Sequence, residues 1–173
     1  SVKGFKLSLP KSLLQFDKCE IDYSGFNTPA DFLDNAFFET KISSSYVTLK
    51  DISALVPALE HFQERILFKT EVSGKLDSIQ VNNIKLDYGE KMHLSAQGFV
   101  ANIRDKERTY IRGKLSEFTV TKDGIIGILN NLSKEKKTPP PILDNIGKLS
   151  FIGNVNGYLK HLKAEGSLSS ELG

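Results

Sequence analysis

The sequence contains no tryptophan, one cysteine and three histidines among its 173 residues. A single cysteine excludes an internal disulfide framework. Cys19 is flanked by Phe16 and Ile21 in a predicted strand, which favours a buried, unreactive thiol over a reactive one. Five scattered tyrosines and no tryptophan give no platform for stacking nucleotide bases, and they disfavour a carbohydrate-binding β-sandwich.

Catalytic motifs are also missing. His61, His93 and His161 have no second histidine or cysteine at metal-ligand spacing. No HExxH, CxxC, GxSxG, Walker-type or GxGxxG motif occurs. Catalysis needs a nucleophile or an acid–base group that is fixed by partners. We therefore predict that the protein is not an enzyme, that it uses no metal or cofactor, and that its histidines have structural or surface roles.

Charge of one sign is not in excess. The chain has 23 Lys and Arg against 21 Asp and Glu, a formal net charge of +2. Nucleic-acid binding calls for a basic excess or a basic stripe. The one local excess, Lys134–Lys137, is interpreted as a solvated loop. No nucleic-acid partner is predicted.

Long hydrophobic runs are absent, since no apolar stretch approaches the roughly 18 residues needed to cross a membrane. The chain begins at Ser1 without a recognisable targeting signal and stops at Gly173. We expect it to be an internal segment of a longer protein, with any signal or anchor lying outside it.

Most of the chain instead alternates with a period of two, the pattern of strands with one buried face. The residues that share one side of a predicted strand are Ile66, Phe68, Thr70 and Val72; Met92, Leu94, Ala96, Gly98 and Val100; and Leu149, Phe151, Gly153 and Val155. The second half of the stretch Met92–Ile103 is apolar on both sides, which indicates burial on both faces or an apolar surface with a use. Eleven phenylalanines spread over strands favour plain core over a ligand channel.

Turns and a bulge punctuate these strands. Val72–Lys75 and Asp87–Glu90 are interpreted as hairpin turns, and Arg104–Glu107 as a charged loop. The pair Asn82–Asn83 shifts the apolar phase between its neighbours, which indicates a β-bulge.

Two short helices are predicted. The first spans Asp51–Gln63, with Asp51 as the N-cap and Pro57 as a kink. The second spans Asp123–Leu132, with Asp123 as its N-cap. A proline-rich loop at residues 134–141 follows and cannot join a sheet interior.

The two helices belong to a weak internal repeat. Residues 46–89 and 117–173 both contain a strand, a short helix, a strand and a Gly turn before another strand. The motif Val-polar-Gly-x-Leu occurs in both, at Val72–Leu76 and Val155–Leu159. An array whose units pack mainly on their neighbours has this pattern. We treat residues 1–173 as one β-rich segment.

The run Val47–Leu59 (VTLKDISALVPAL) resembles the LKD(I/L)xx(L/F)VPAL segment of AsmA-like/TamB proteins, particularly those of the Bacteroidetes type. The strands VSGKL and IKLDYG, and later FIGNVNGYL and EGSLSSELG, are similar to the β-repeat elements of that family. The resemblance covers roughly residues 35 to 173, and the Asp-to-Pro-Ala-Leu stretch is its most specific part.

The resemblance implies an elongated, curled antiparallel sheet, built from repeats, that forms a groove. Family members are anchored in the inner membrane and span the periplasm, so a periplasmic location tethered through a segment outside this chain is expected. Their apolar groove is thought to carry phospholipids toward the outer membrane, and some members are linked to outer-membrane protein assembly. Expected partners are phospholipid acyl chains, outer-membrane assembly proteins and the rest of the same chain. The family has no catalytic residues to carry over.

The candidate groove-lining residues are Leu94, Ala96, Val100, Phe68, Phe151 and Val155. Alternation does not decide which face of the sheet looks inward, because a one-residue register error exchanges the two faces. Open strand edges also predict edge-to-edge or end-to-end self-association. The alternative hypothesis is a structural β-solenoid or sandwich spacer, or an interaction module, whose filled core has no room for lipid.

Overall fold

A computed structural model describes residues 2–22, 28, 31–32, 35–53, 65–132, 141 and 145–172. Nine strands form one sheet in which every strand pairs antiparallel with the next along the chain. The strands are β1 (Val2–Leu9), β2 (Ser12–Asp22), β3 (Phe37–Thr48), β4 (Arg65–Lys75), β5 (Ser78–Tyr88), β6 (Met92–Ala101), β7 (Tyr110–Thr121), β8 (Ile146–Tyr158) and β9 (His161–Leu172).

The sheet is open and curled, with β1 and β9 at its two edges. Each connection between neighbouring strands is local, so the order in space is the order in sequence. The predicted fold class, a mainly β chain that forms an elongated curled antiparallel sheet, is confirmed.

Helical structure among the described residues is short. A 3-10 turn covers Leu49–Ile52, and the helix α1 covers Lys122–Leu132. The second predicted helix is therefore confirmed, with its start one residue earlier. The rest of the first one, including Pro57, lies outside the described residues, as does most of the proline-rich loop at 134–141.

The predicted N-cap of the second helix is wrong, whereas the backbone amides that Asp51 would cap in the first helix lie outside the described residues. The α1 N-terminus is capped by Thr121, whose hydroxyl accepts a hydrogen bond from the Gly124 amide at 3.2 Å. Asp123 lies inside the first turn, where its charge favours the helix dipole. Asp51 stabilises the turn between β1 and β2. Its Oδ2 accepts hydrogen bonds from the Lys11 amide at 3.0 Å and from the Ser12 hydroxyl at 2.6 Å.

The predicted turn at Val72–Lys75 is also wrong. β4 continues to Lys75, and the turn is Leu76–Asp77. Gly74 marks a bend inside the strand, with φ of 134°, where an added Cβ would collide with the Ser78 carbonyl oxygen. The predicted turn at Asp87–Glu90 begins two residues too early, because β5 runs to Tyr88 and the turn starts at Gly89. The charged loop after β6 and the bulge at Asn82–Asn83 are confirmed, the latter by register shifts against both neighbouring strands.

The hairpins β4–β5 and β8–β9 share one geometry. Gly157 has φ of 129°, close to that of Gly74, and its added Cβ would meet the His161 carbonyl oxygen, four residues on as in the first hairpin. Two-residue turns close both hairpins, between Lys75 and Ser78 and between Tyr158 and His161. Each hairpin contains one of the two Val-polar-Gly-x-Leu motifs, and an internal repeat would give this shared geometry. The repeat itself stays a prediction.

Full burial is concentrated at one end of the sheet. Val47 is 1% exposed, Ile66 is 4% exposed and Val120 is 3% exposed. These residues lie where β3 and β7 end and β4 begins, beside the 3-10 turn and α1. Most apolar side chains along the middle of the strands are only half-buried. The sheet is thus closed at this end and left open along its length.

Candidate functional site

The inner face of the sheet is an apolar groove that runs across β5 to β9. Paired residues of an antiparallel sheet project to the same side, so the strand register defines this face. Phe118 pairs with both Leu94 and Phe151, and Phe151 pairs with Leu168. The concavity has a volume of about 810 Å³. Its inward apolar side chains are Val81, Ile84, Leu94, Ala96, Val100, Ile111, Leu115, Phe118, Phe151, Val155, Leu162, Ala164 and Leu168.

The structure brings together five of the six predicted lining residues. Leu94, Ala96, Val100, Phe151 and Val155 all line this groove. The sixth, Phe68, pairs with Leu86, which pairs with Leu94. Phe68 therefore lies on the same face, on β4, one strand beyond the edge of the main concavity.

The strand register also shows which residues lie on the inner face and which on the outer face, a choice that alternation alone does not decide. Ser95 and Ile152 lie on the outer face, each next to a groove residue in sequence. Ile152 is 59% exposed although it is apolar. It gives the outer face an apolar side chain that can be compared directly with Phe151.

Sequence reasoning missed the contribution of β7. Ile111, Leu115 and Phe118 face the groove, but their spacing breaks the period of two. Register shifts occur between Leu115 and Phe118, so that Ser116 and Glu117 do not continue the alternation. The missing signal was the bulge, which could have been found from the phase change between Leu115 and Phe118.

Paired glycines shape the floor of the groove. Gly98 pairs with Gly113, and Gly153 pairs with Gly166. A Cβ on Gly98 would collide with the Arg112 carbonyl oxygen and lie 2.7 Å from the Gly113 Cα atom. Backbones approach this closely only where no side chain intervenes, and glycines at such places let a sheet bend. We therefore expect the curl of the groove to depend on these pairs.

The polar side chains on the inner face are satisfied by the backbone. The Thr40 hydroxyl donates to the Lys18 carbonyl at 2.9 Å, and the Thr70 hydroxyl donates to the Asn83 carbonyl at 2.8 Å. In the described part of the chain, the buried side-chain polar atoms without a hydrogen-bond partner are Thr119 Oγ1 and Asn130 Oδ1. Neither belongs to a residue that lines the groove. The described groove surface therefore presents no buried, unpaired polar atom to an apolar guest.

A second, smaller apolar cavity of about 310 Å³ lies toward the β1 edge. Phe16, Ile21 and Phe38 contribute to it from β2 and β3, together with Phe32, which precedes β3. Cys19 also lines this cavity. Its side chain is half-buried rather than buried as predicted, and its low reactivity stays a prediction.

The outer face is mainly polar and charged, although Phe37, Leu67 and Ile152 are exposed there. One row across the sheet reads Gln97, Lys114, Asn154, Glu165, from β6 to β9. On the same face of β2, the Lys18 ammonium lies 2.9 Å from Glu39 and 3.1 Å from Glu20. The pKa of Lys18 is raised above its ordinary value, most strongly by the hydrogen bond to Glu39 and next by the hydrogen bond to Glu20. The two faces of the sheet thus differ sharply in polarity.

The described ranges hold no cluster of three or more His, Cys, Asp or Glu that could bind a metal ion. His93 Nδ1 lies 2.6 Å from Asp87 Oδ1, but both side chains are largely exposed on the outer face. Among the helices described, none has the length and apolar character to span a membrane.

Comparisons with protein-family models, with curated proteins and with solved structures found no match to this chain. The resemblance to AsmA-like/TamB proteins therefore stays a prediction. The geometry of the groove is therefore the observation that bears on function.

Proposed function

We propose that this chain is a non-catalytic segment of an AsmA/TamB-like envelope-biogenesis protein, and that its groove holds phospholipid acyl chains. In this proposal it acts in the periplasm, tethered to the inner membrane through a part of the protein outside these residues. The groove then carries lipid between the inner and outer membranes. Support for outer-membrane protein assembly is the alternative role in the same setting.

One observation carries the proposal: the inner face is apolar, concave and open over several strands. The groove has about 810 Å³ of volume, within the range of small-molecule sites. Burying an acyl chain there contributes about 0.8 kcal/mol for each CH₂ group removed from water. A headgroup can stay in solvent because the groove is open rather than enclosed.

The continuity of the face favours a chain-like ligand over a compact one. Inward residues follow one another through paired positions from Leu86 to Leu94, Phe118, Phe151 and Leu168. No described residue of the lining presents a buried, unpaired polar atom. A tail that slides along such a surface exchanges one apolar contact for another, which keeps the barrier to movement low.

The filled-core alternative predicts a different burial pattern. A spacer with a closed core would bury its inward side chains as fully as Val47, which is 1% exposed. Leu94, Phe118 and Phe151 face the groove from strands that are paired on both sides, and they are only half-buried. This exposure supports an open groove that has an occupant.

Photo-cross-linking in the bacterial envelope tests the proposal. A photoreactive residue replaces Leu94, Val100 or Phe151 on the inner face of the protein in its natural setting, and Ser95 or Ile152 on the outer face. We expect phospholipid adducts from the inner positions only. Ile152 is the matched control, because it is apolar, exposed and adjacent to Phe151.

Equal adducts at Phe151 and Ile152 would mean non-specific lipid contact and would contradict the proposal. No adducts at any position, with the protein folded and abundant, would favour the structural spacer. Protein adducts from the groove positions without lipid would favour the assembly role.

A further inference from the structure

A polar depression lies on the outer face of the sheet, on strands that also build the groove. It has two parts, of about 610 Å³ and 390 Å³, and each volume lies within the range of small-molecule sites. Asn82, Gln97 and Lys114 line both parts, so the two form one continuous surface, the polar strip. The polar residues of this strip are Gln80, Asn82, Asn83, Lys85, Ser95, Gln97, Arg112, Lys114, Ser116, Asn154, Asn156 and Glu165.

Strand pairing arranges many of these side chains in two rows across the sheet. One row reads Gln97, Lys114, Asn154, Glu165. The other row reads Gln80, Phe99, Arg112, Asn156. Neighbouring strands lie about 4.8 Å apart, so an extended ligand that crosses the strands would meet another side chain at each strand.

Side-chain amides dominate the polar strip. The residues that carry them are Gln80, Asn82, Asn83, Gln97, Asn154 and Asn156. In the part of the chain that the structure describes, no hydrogen bond or ion pair engages these amides or the side chains of Arg112, Lys114 and Glu165. A side-chain amide both donates and accepts hydrogen bonds, as a hydroxyl group does. The polar strip therefore matches a ligand that is rich in hydroxyl groups.

The charges of the polar strip favour a neutral ligand over an anion. Arg112 and Lys114 lie on β7, but Glu165 stands in the same row as Lys114. Lys85 lies apart from them, on β5. Sites that recognise phosphate groups gather their cations around one point. Here the cations are spread over two strands and share the surface with a carboxylate.

Two tyrosines border the polar strip. Tyr158 lies two residues beyond Asn156 on β8 and therefore shares its face. Tyr110 lies two residues before Arg112 on β7, on the same outer face. The two rings meet edge to face with their centroids 5.6 Å apart, and Tyr158 is 54% exposed. The sequence separates these tyrosines widely, and the fold brings them together beside the amides.

We propose that the polar strip binds a neutral oligosaccharide. A sugar ring combines an apolar C–H face with a rim of hydroxyl groups, so it can stack on Tyr158 while its hydroxyls bind the amides of Asn154 and Asn156. An oligosaccharide is also long enough to cross several strands along the two rows. This site lies on the face opposite the groove and is separate from the proposed lipid function.

Nuclear magnetic resonance of the purified chain tests the proposal, because the NH₂ signals of Asn and Gln report directly on the amides. The probes are maltotetraose, cellotetraose and chitotetraose at millimolar concentration. We expect at least one of them to shift the NH₂ signals of the polar strip. Asn154→Ala and Tyr158→Ala are each expected to weaken that binding about three- to tenfold, the effect of one lost hydrogen bond or ring contact.

Leu67→Ala is the matched control for Tyr158→Ala. Leu67 lies on the outer face of β4, away from the polar strip, and is 56% exposed, close to the 54% of Tyr158. This variant is expected to bind the probe as the wild type does. Asn154 is exposed as well, so all three variants are expected to keep the backbone amide spectrum of the folded chain.

The proposal would be overturned if none of the three sugars shifted the NH₂ signals of the polar strip. Shifts that persist unchanged in both Asn154→Ala and Tyr158→Ala would overturn it too, since the sugar would then bind elsewhere. Inorganic phosphate is the remaining probe, and a response to phosphate without any response to the sugars would identify an anion site instead. Because the groove lies on the other face, a negative result here leaves the proposed lipid function unaffected.

Discussion

Replacing Gly98 with alanine tests whether the paired glycines set the curl of the groove. The new Cβ would collide with the Arg112 carbonyl oxygen and would lie 2.7 Å from the Gly113 Cα and 3.2 Å from the Arg112 carbonyl carbon. All three atoms belong to the backbone of β7, so no side chain can rotate away. Either β6 and β7 separate at this point, or the sheet flattens.

The cost follows from two opposing terms. Overpacking in a close contact costs typically about 1–3 kcal/mol. Alanine recovers roughly 0.5–1 kcal/mol relative to glycine inside a strand, because the unfolded chain has less freedom to lose. We therefore expect Gly98→Ala to reduce the free energy of unfolding by about 1–2 kcal/mol. For a chain of this size the melting temperature would fall by about 2–8 °C.

Urea denaturation followed by circular dichroism measures this change, and two glycines serve as controls. Gly113→Ala places a Cβ 3.2 Å from the Gln97 carbonyl oxygen, so a smaller loss is expected. Gly127→Ala in α1 meets Tyr88 only at 3.7 Å and should stabilise the chain by about 0.5–1 kcal/mol. A Gly98→Ala variant as stable as the wild type would refute the proposed role of the glycine pairs.

Two further predictions concern the ends and the outer face of the sheet. Asp51→Ala removes the acceptor for the Lys11 amide and the Ser12 hydroxyl, and should cost about 1–3 kcal/mol in the urea unfolding free energy; Asp51→Asn, which keeps one acceptor, should cost less. Lys18 has a pKa raised above 10.5 by Glu39 and Glu20, so its stabilising effect is complete at pH values below 10.5 and is lost as pH rises through the higher folded value. The difference in melting temperature between wild type and Lys18→Met should therefore be constant near neutral pH and shrink in strong alkali, and a difference that grows there would contradict this assignment.

The mainly β content was accessible from the sequence because period-two alternation is imposed by strand geometry itself, whereas the elongated, curled sheet was expected from the family resemblance. Leu94, Ala96 and Val100 share a side in any strand that contains them, so their grouping did not depend on the rest of the fold. The choice of inward face did depend on it. It follows from pairing between strands, as when Phe118 joins Leu94 to Phe151, and a single chain segment does not contain that information.

Boundaries failed where two local signals competed. Val72–Lys75 contains a Ser-Gly pair that is typical of a turn, yet Gly74 serves a close backbone approach within the strand. Asp123 has the residue type of an N-cap, but Thr121, two residues earlier, is the residue whose hydroxyl accepts the hydrogen bond from the Gly124 amide. In both cases the residue type correctly indicated an unusual backbone position nearby. A contact in the folded structure then determined which residue takes that position and which role it has.

The same glycines and bulges explain why this chain has a groove where an ordinary sheet would have a core. A flat sheet buries its apolar face against a second layer. Among the described residues, α1 and the 3-10 turn lie near one end of the sheet, where Val47, Ile66 and Val120 reach full burial. Farther along, Gly98–Gly113 and Gly153–Gly166 remove side-chain volume on the inner side, so the sheet bends around a space that its own residues leave open. Much of the apolar surface on this face therefore remains only half-buried in the isolated sheet.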